Sequence, residues 1–216
     1  MDLKNKTVCF LGDSITEGVG ATAPENCYVS LFAKAHPEAK VFNFGISGTR
    51  IAAQLKPSAK SRWDKYFASR IDDMPKSADL IFVFGGTNDY AHGDAPMGSF
   101  GDTEIYSFYG ALYVLYTSLL NKYPDAKIVI LTPLHTTIER GLKSRPDGDF
   151  TLSDYVDAIR ECAEYFSLPI IDMWRISGMQ PSVEIIKEKY LPDGLHPSDA
   201  GYKKIFSIID SYVKNI

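Results

Sequence analysis

The run Thr7-Val8-Cys9-Phe10-Leu11-Gly12-Asp13-Ser14-Ile15-Thr16-Glu17-Gly18 sets an unbroken apolar stretch against an abrupt polar turn. Apolar residues without alternation, stopping at Gly and Asp, mark a strand covered on both faces, as strands of parallel sheets are. The same pattern recurs along the chain. Runs at 8–11, 41–44, 80–84, 128–131 and 169–171 are each bounded by Gly, Asn, Thr or Asp, so five buried parallel strands are expected. Segments of helical period lie between and after them. The clearest carries Leu152, Val156, Ile159, Ala163 and Phe166, with Thr151 and Asp154 supplying the cap and the N3 acid at its start. A last helix is expected to enter at Pro197 and Ser198 and to bury Tyr202, Ile205, Ile209 and Tyr212. Strands alternating with helices imply right-handed crossovers and a parallel sheet with helices on both faces.

The chain has 216 residues, 45% hydrophobic and 23% charged. These values suit one globular core and argue against disorder or a fibrous repeat, so a single domain over 1–216 is expected. The net charge of -4 and the lack of a basic patch argue against a nucleic-acid partner. Cys9, Cys27 and Cys162 are odd in number and widely spaced, which suggests reduced, buried thiols rather than a zinc or redox motif. No apolar run approaches a membrane span, and Met1 to Lys6 lead into the first strand without the pattern of a signal peptide. A cytoplasmic enzyme is the expectation.

Open α/β sheets bind ligands beyond the carboxyl ends of their strands, where the winding reverses. The loops that begin at Gly12, Gly45, Gly85, Thr132 and Asp172 are therefore the places to look for chemistry. Gly12-Asp13-Ser14 follows the first strand. Asn43-Phe44-Gly45-Ile46-Ser47-Gly48-Thr49 closes the second, and Gly85-Gly86-Thr87-Asn88-Asp89 closes the third. Near the C-terminus stands Asp193-Gly194-Leu195-His196-Pro197.

These four blocks, in this order, resemble those of the SGNH or GDSL-like hydrolases, in which they supply Ser, Gly, Asn and His. Here the letters fall on Ser14, Gly48, Asn88 and His196, with Asp193 matching the acidic residue three places before the histidine. The resemblance runs from Phe10 to the final helix, and Ile15 stands where the family name has Leu. It implies a flavodoxin-like three-layer α/β/α sandwich with a five-stranded parallel sheet. It also implies a serine hydrolase cleaving carboxylic esters through an acyl-enzyme.

The residue types suit that chemistry. A serine hydroxyl is a weak nucleophile and needs a base in hydrogen-bond reach, itself oriented by a third group. His196 can take the Ser14 proton and return it to the leaving alcohol, and the Pro192-Asp193-Gly194 turn can bring the Asp193 carboxylate to the imidazole. An oxyanion hole is implied from the Ser14 and Gly48 N–H groups and the Asn88 side-chain amide, glycine at 48 letting backbone approach the substrate. No cofactor or metal is called for, since the histidines show no metal-ligand spacing.

Each block also has a plainer reading. Ser14 or Thr16 can simply cap a helix, 85–89 can be a turn, His196 a helix-entry residue and Asp193 turn punctuation. It is their joint order at strand ends that favours the hydrolase. Asp13 is expected to bond local backbone without moving protons, Arg50 to be a solvated cation, and His36, His92 and His135 to be loop or turn residues. Loops 90–102 and 135–150 are expected to overhang the pocket and shape acyl specificity. In the second loop, Arg140, Lys143 and Arg145 are offset by Glu139, Asp147 and Asp149, which suggests a solvated mixed-charge segment.

The expected partner is a small-molecule ester of short acyl chain, with acetyl groups on a carbohydrate included. An acyltransferase, thioesterase or lysophospholipase using the same residues stays open, as does a non-catalytic flavodoxin-like binding module. A nucleotide-binding version lacks any G-x-x-x-x-G-K-[ST] or G-x-G-x-x-G at the first turn.

Overall fold

The computed structural model describes residues 1–140 and 148–216. Its centre is one parallel sheet of five strands, β1 (Thr7–Gly12), β2 (Lys40–Gly45), β3 (Leu80–Phe84), β4 (Lys127–Leu131) and β5 (Ile170–Ile171). They lie side by side in the order β2-β1-β3-β4-β5. The chain leaves β1 toward one edge and returns to build outward on the other side. The winding therefore reverses between β1 and β3, and the crevice above their carboxyl ends is the ligand site of such a sheet.

Period-two alternation sorts the strand residues into two cores. Val8 and Phe10, Leu80, Phe82 and Phe84, and Val129 and Leu131 point to one face. Helices α2 (Tyr28–Ala35) and α8 (Asp199–Lys214) cover it with Tyr28, Phe32, Tyr202, Ile205, Ile209 and Val213. Cys9 and Leu11, Ile81 and Val83, and Ile128 and Ile130 point the other way. There α4 (Phe108–Lys122) and α5 (Leu152–Tyr165) meet them with Leu112, Leu115, Leu119 and Ile159. Phe10 and Phe82, paired in register, stack at 4.9 Å, and Phe32 meets Phe10 edge-on at 5.3 Å. Such ring pairs contribute about 0.5–1.5 kcal/mol each beyond their buried area. The three layers expected from the alternation of elements are present.

Local signals work as read at the ends of α5 and α8. Thr151 and Asp154 form the reciprocal capping box, and the Ser198 side chain accepts from Gly201 N at the start of α8. Two expectations need correcting. The buried stripe of α8 ends on Val213, with Tyr212 only half-buried, because four residues past Ile209 keeps the helix on the same face. Nor are all five strands buried: β2 is an edge strand with Phe42 39% exposed, since it has a neighbour on one side only. The short helices are α1 (Ser14–Glu17), α3 (Thr87–His92), α6 (Met173–Ile176) and α7 (Glu184–Tyr190). Among the described residues, no helix is long and apolar enough to cross a membrane. Lys143, Arg145 and Asp147 lie outside the described residues.

Candidate active site

The first turn answers whether Ser14 is a cap. Asp13 holds that position: its Oδ1 accepts from Ile15 N at 3.1 Å, and α1 begins at Ser14. Thr16 is fully buried and bonds the Tyr28 hydroxyl at 2.9 Å, so neither hydroxyl is spent on the helix end. Gly18, at φ +105°, stops the helix after one turn, and its N–H donates to the Ser14 carbonyl. The Ser14 side chain is left free to line the cleft above the switch point.

His196 reaches it from the far end of the sequence. Its Nε2 lies 3.0 Å from Ser14 Oγ, and its Nδ1 lies 2.7 Å from Asp193 Oδ2. A carboxylate only accepts, so Nδ1 carries the proton there and Nε2 is left to accept from the serine hydroxyl. The turn is self-braced. Asp193 Oδ1 accepts from Leu195 N at 2.9 Å and His196 N at 2.6 Å, while Gly194 takes φ +82°. Partial burial disfavours the Asp193 charge, but bonds from the His196 ring and from the His196 and Leu195 N–H groups outweigh it and hold the carboxyl below its usual range.

The second and third blocks close around the same point. Asn88 Nδ2 donates to Thr49 O at 3.1 Å and, more weakly, to Asp13 Oδ2 at 3.4 Å. The N–H groups of Ser14 and Gly48 have no acceptor among the described residues. That is uncommon for backbone beside a core, and it leaves two donors at the cleft. Burial pushes Asp13 up to about 6, although the Ile15 N–H and the neighbouring His196 and Arg70 work against it. The expected local role of Asp13 is what its contacts display: a cap on one oxygen and a tie to Asn88 on the other.

Gly48 has a reason beyond access for substrate. Its φ is +80°, and an added Cβ would lie 2.4 Å from Trp63 Cδ1. Gly48→Ala should destabilise the protein by about 1–2 kcal/mol from the left-handed backbone alone. The indole must also shift. Urea unfolding tests this, and an unchanged midpoint would refute it.

Several residues that hold the site carry no motif. Arg70, 2% exposed, donates to Phe44 O at 2.6 Å, Gly12 O at 3.1 Å and Thr49 Oγ1 at 3.2 Å, stitching the ends of β1 and β2 to the second block. Burial lowers its pKa to about 10, with Asp13 and Asp73 acting to raise it. Asp89 accepts from Ile51 N at 2.9 Å and Ala52 N at 2.8 Å. Its place beside Asn88 in the third block was the available signal. Burial pushes Asp89 up to about 7, opposed by those N–H bonds and by Arg50.

A carboxyl whose pKa is raised on folding stabilises the fold fully below its unfolded value, and that contribution is lost as pH rises through the folded value. For Asp89 the window runs from about 4 to about 7. Across it the urea midpoint of wild type should fall relative to that of Asp89→Asn. Parallel pH dependence of the two proteins would contradict the assignment.

Ser14, Gly48, Asn88 and His196 line one cleft of about 460 Å³. Its remaining wall comes mostly from residues 50–63, a segment between β2 and β3 that no sequence signal marked. Arg50 is 5% exposed, against the solvated cation expected, because it donates to Ser58 Oγ, Trp63 O and His92 O and so ties that segment to α3. The two loops expected to overhang the pocket contribute less. From 90–102 only His92 and Asp94 reach it, while Ala95 and Met97 are buried in the core with α4. From the described part of 135–150, Thr137 N donates to Gly194 O at 2.9 Å, so this loop braces the histidine turn from outside the cleft. His135 bonds Glu139 at 2.8 Å and packs on Trp174, and His36 bonds Asp210 at 2.8 Å; both are remote from the cleft lining. Among the described residues, no group of three or more His, Cys, Asp or Glu is arranged to hold a metal ion.

No curated protein matches the sequence. Among solved structures, the chain is similar to a protein from Lactobacillus plantarum, at 30% identity over 99% of each chain and a TM-score of 0.83. It also shares its fold with the lipase/acylhydrolase from Enterococcus faecalis, at 20% identity over 97% of this chain and 96% of the other, TM-score 0.64. An acetyl xylan esterase gives 21% identity over 96% of this chain and 99% of its own, TM-score 0.60. With the GDSL-like Lipase/Acylhydrolase family matching residues 10–204, the chain belongs to that family, whose chemistry is the hydrolysis of esters.

Proposed function

We propose that the protein hydrolyses short-chain carboxylic esters through an acyl-enzyme on Ser14. The observation that carries this reading is the relay of 3.0 Å from Ser14 Oγ to His196 Nε2 and 2.7 Å from His196 Nδ1 to Asp193 Oδ2. Ser14 Oγ attacks the ester carbonyl carbon as its proton passes to His196 Nε2. The resulting oxyanion receives bonds from the Ser14 and Gly48 N–H groups and from the Asn88 Nδ2 hydrogen that otherwise makes the weak 3.4 Å bond to Asp13 Oδ2. Collapse breaks the bond to the alcohol oxygen, which leaves with the proton from His196. A water then repeats the sequence on the acyl-serine, giving the free acid and restoring Ser14.

Arg50, Gln54, Lys56, Ser58, His92 and Asp94 are among the residues that line the cleft. They suit an alcohol rich in hydroxyls, and an acetylated carbohydrate is the substrate class we favour. We read residues 1–216 as one domain, since one sheet organises both cores. The three free, buried cysteines agree with action in the cytoplasm.

A panel of esters, including acetylated sugars, tested with wild type and Ser14→Ala and with product analysis, examines this reading. Release of free acid that depends on Ser14 is the expected result. Equal turnover by Ser14→Ala would sink it.

A further inference from the structure

Trp63 stands apart from every motif in the sequence, yet its indole lies against Gly48 closely enough that a single added carbon would collide with it. It lines the cleft with Ser14, Asn88 and His196. We infer that Trp63 is the residue that limits the length of the acyl chain, an inference that rests on the ester-hydrolase reading above.

His196 Nε2 has to deliver its proton to the departing oxygen, so the alcohol lies on the histidine side of the tetrahedral carbon. The oxyanion faces Gly48 N–H and Asn88. The remaining substituent, the acyl chain, takes the direction left over by Ser14 Oγ, the oxyanion and the alcohol, and on this inference the Trp63 indole, which lines the same cleft beside Gly48, stands across that direction. On this placement an acetyl methyl clears the ring and a longer chain meets it.

The wall is fixed from several directions. Arg50 donates to the Trp63 carbonyl at 3.3 Å and to Ser58 Oγ at 3.0 Å. Asp64, next in sequence, accepts from Ser58 N at 3.1 Å. Arg62 pairs with Glu17 at 3.0 Å, and Glu17 also accepts from Ser47 N, so the segment is tied both to α1 and to the Gly48 loop. The Lys60 ammonium sits over the indole, 5.1 Å from its centroid. A wall held at this many points cannot yield cheaply to a longer acyl group.

The test is the ratio of kcat/KM for p-nitrophenyl hexanoate to that for p-nitrophenyl acetate, in wild type, Trp63→Ala and Trp63→Phe. One methylene against a tight wall discriminates by about 10-fold or more. Trp63→Ala should therefore raise the hexanoate-to-acetate ratio by about 10-fold or more, and Trp63→Phe should raise it by less. A purely structural role would lower both rates together and leave the ratio where it was. An unchanged ratio in active Trp63→Ala overturns the inference while the hydrolase reading stands. If Trp63→Ala does not fold, Trp63→Phe decides on the same criterion. Absence of turnover of any ester by folded wild type removes the hydrolase reading and this inference with it.

Discussion

Ser14→Ala is expected to lower kcat toward p-nitrophenyl acetate by about 10⁴–10⁶-fold, with KM little changed. The serine oxygen is the atom that bonds to the acyl carbon, and no other hydroxyl stands within reach of His196 Nε2 among the described residues. Residues that act as a unit fail together. His196→Ala should cost a similar factor, and Ser14→Ala/His196→Ala should be no worse than the poorer single variant. Stability should barely move, because Asp13 rather than Ser14 caps α1 and, among the described residues, the serine side chain bonds only His196. Steady-state kinetics of the three variants, with urea unfolding as the control, checks this. Multiplicative losses in the double variant would show that the two residues act separately.

Asp193→Asn is expected to lower kcat by about 10²–10⁴-fold. The amide oxygen can still accept from the Leu195 and His196 N–H groups, so the turn should survive. What changes is the group facing His196 Nδ1. An amide nitrogen there donates and favours the tautomer with its proton on Nε2, which then points a donor at Ser14 in place of an acceptor. The carboxylate also balances the imidazolium formed during attack. Its side chain is 56% exposed, and screening by water sets the loss below that of a fully buried aspartate.

The variant should show a second difference. A carboxyl held below its ordinary pKa by folding adds stability above that ordinary value, and loses it as pH falls through the folded one. Acid unfolding of Asp193→Asn should lack this contribution. A loss of less than about 3-fold in kcat, against the much larger factor that a wrong tautomer imposes, would remove Asp193 from the relay.

The sheet was legible because buried parallel strands need continuous apolar runs, and their ends need residues that turn. Val8 to Leu11, Leu80 to Phe84 and Ile128 to Leu131 satisfy that rule wherever the strand is central. Residues 41–44 obey it in composition, yet Phe42 is exposed, because sequence does not say which strand takes the edge. The four blocks were legible because each couples a reactive residue type to a strand end or helix entrance.

The cleft wall was a different matter. Residues 50–63 contain only a short 3₁₀ turn and no periodic pattern. Arg50 and Arg70 look in sequence like ordinary surface cations, yet both are buried. Burying a guanidinium is costly unless its donors are met; here the terminal nitrogens find carbonyls and hydroxyls brought in from separate loops, while the two Nε groups have no hydrogen-bond partner among the described residues. Nothing local in the chain announces such partners. The long loops at 90–102 and 135–150 drew attention by their length, but length does not tell whether a loop covers the cleft or packs beside it.

By itself, then, the sequence determined the strands, the packed helices and the residue types that meet at the carboxyl ends of β1, β2 and β3, since periodicity and turn chemistry are local properties. Only the tertiary structure decided that Asp13 takes the cap and releases Ser14, that Trp63 stands against Gly48, and that two buried arginines hold the loops in place. Those outcomes depend on distances between segments far apart in the chain, and closing those distances is the work of the core.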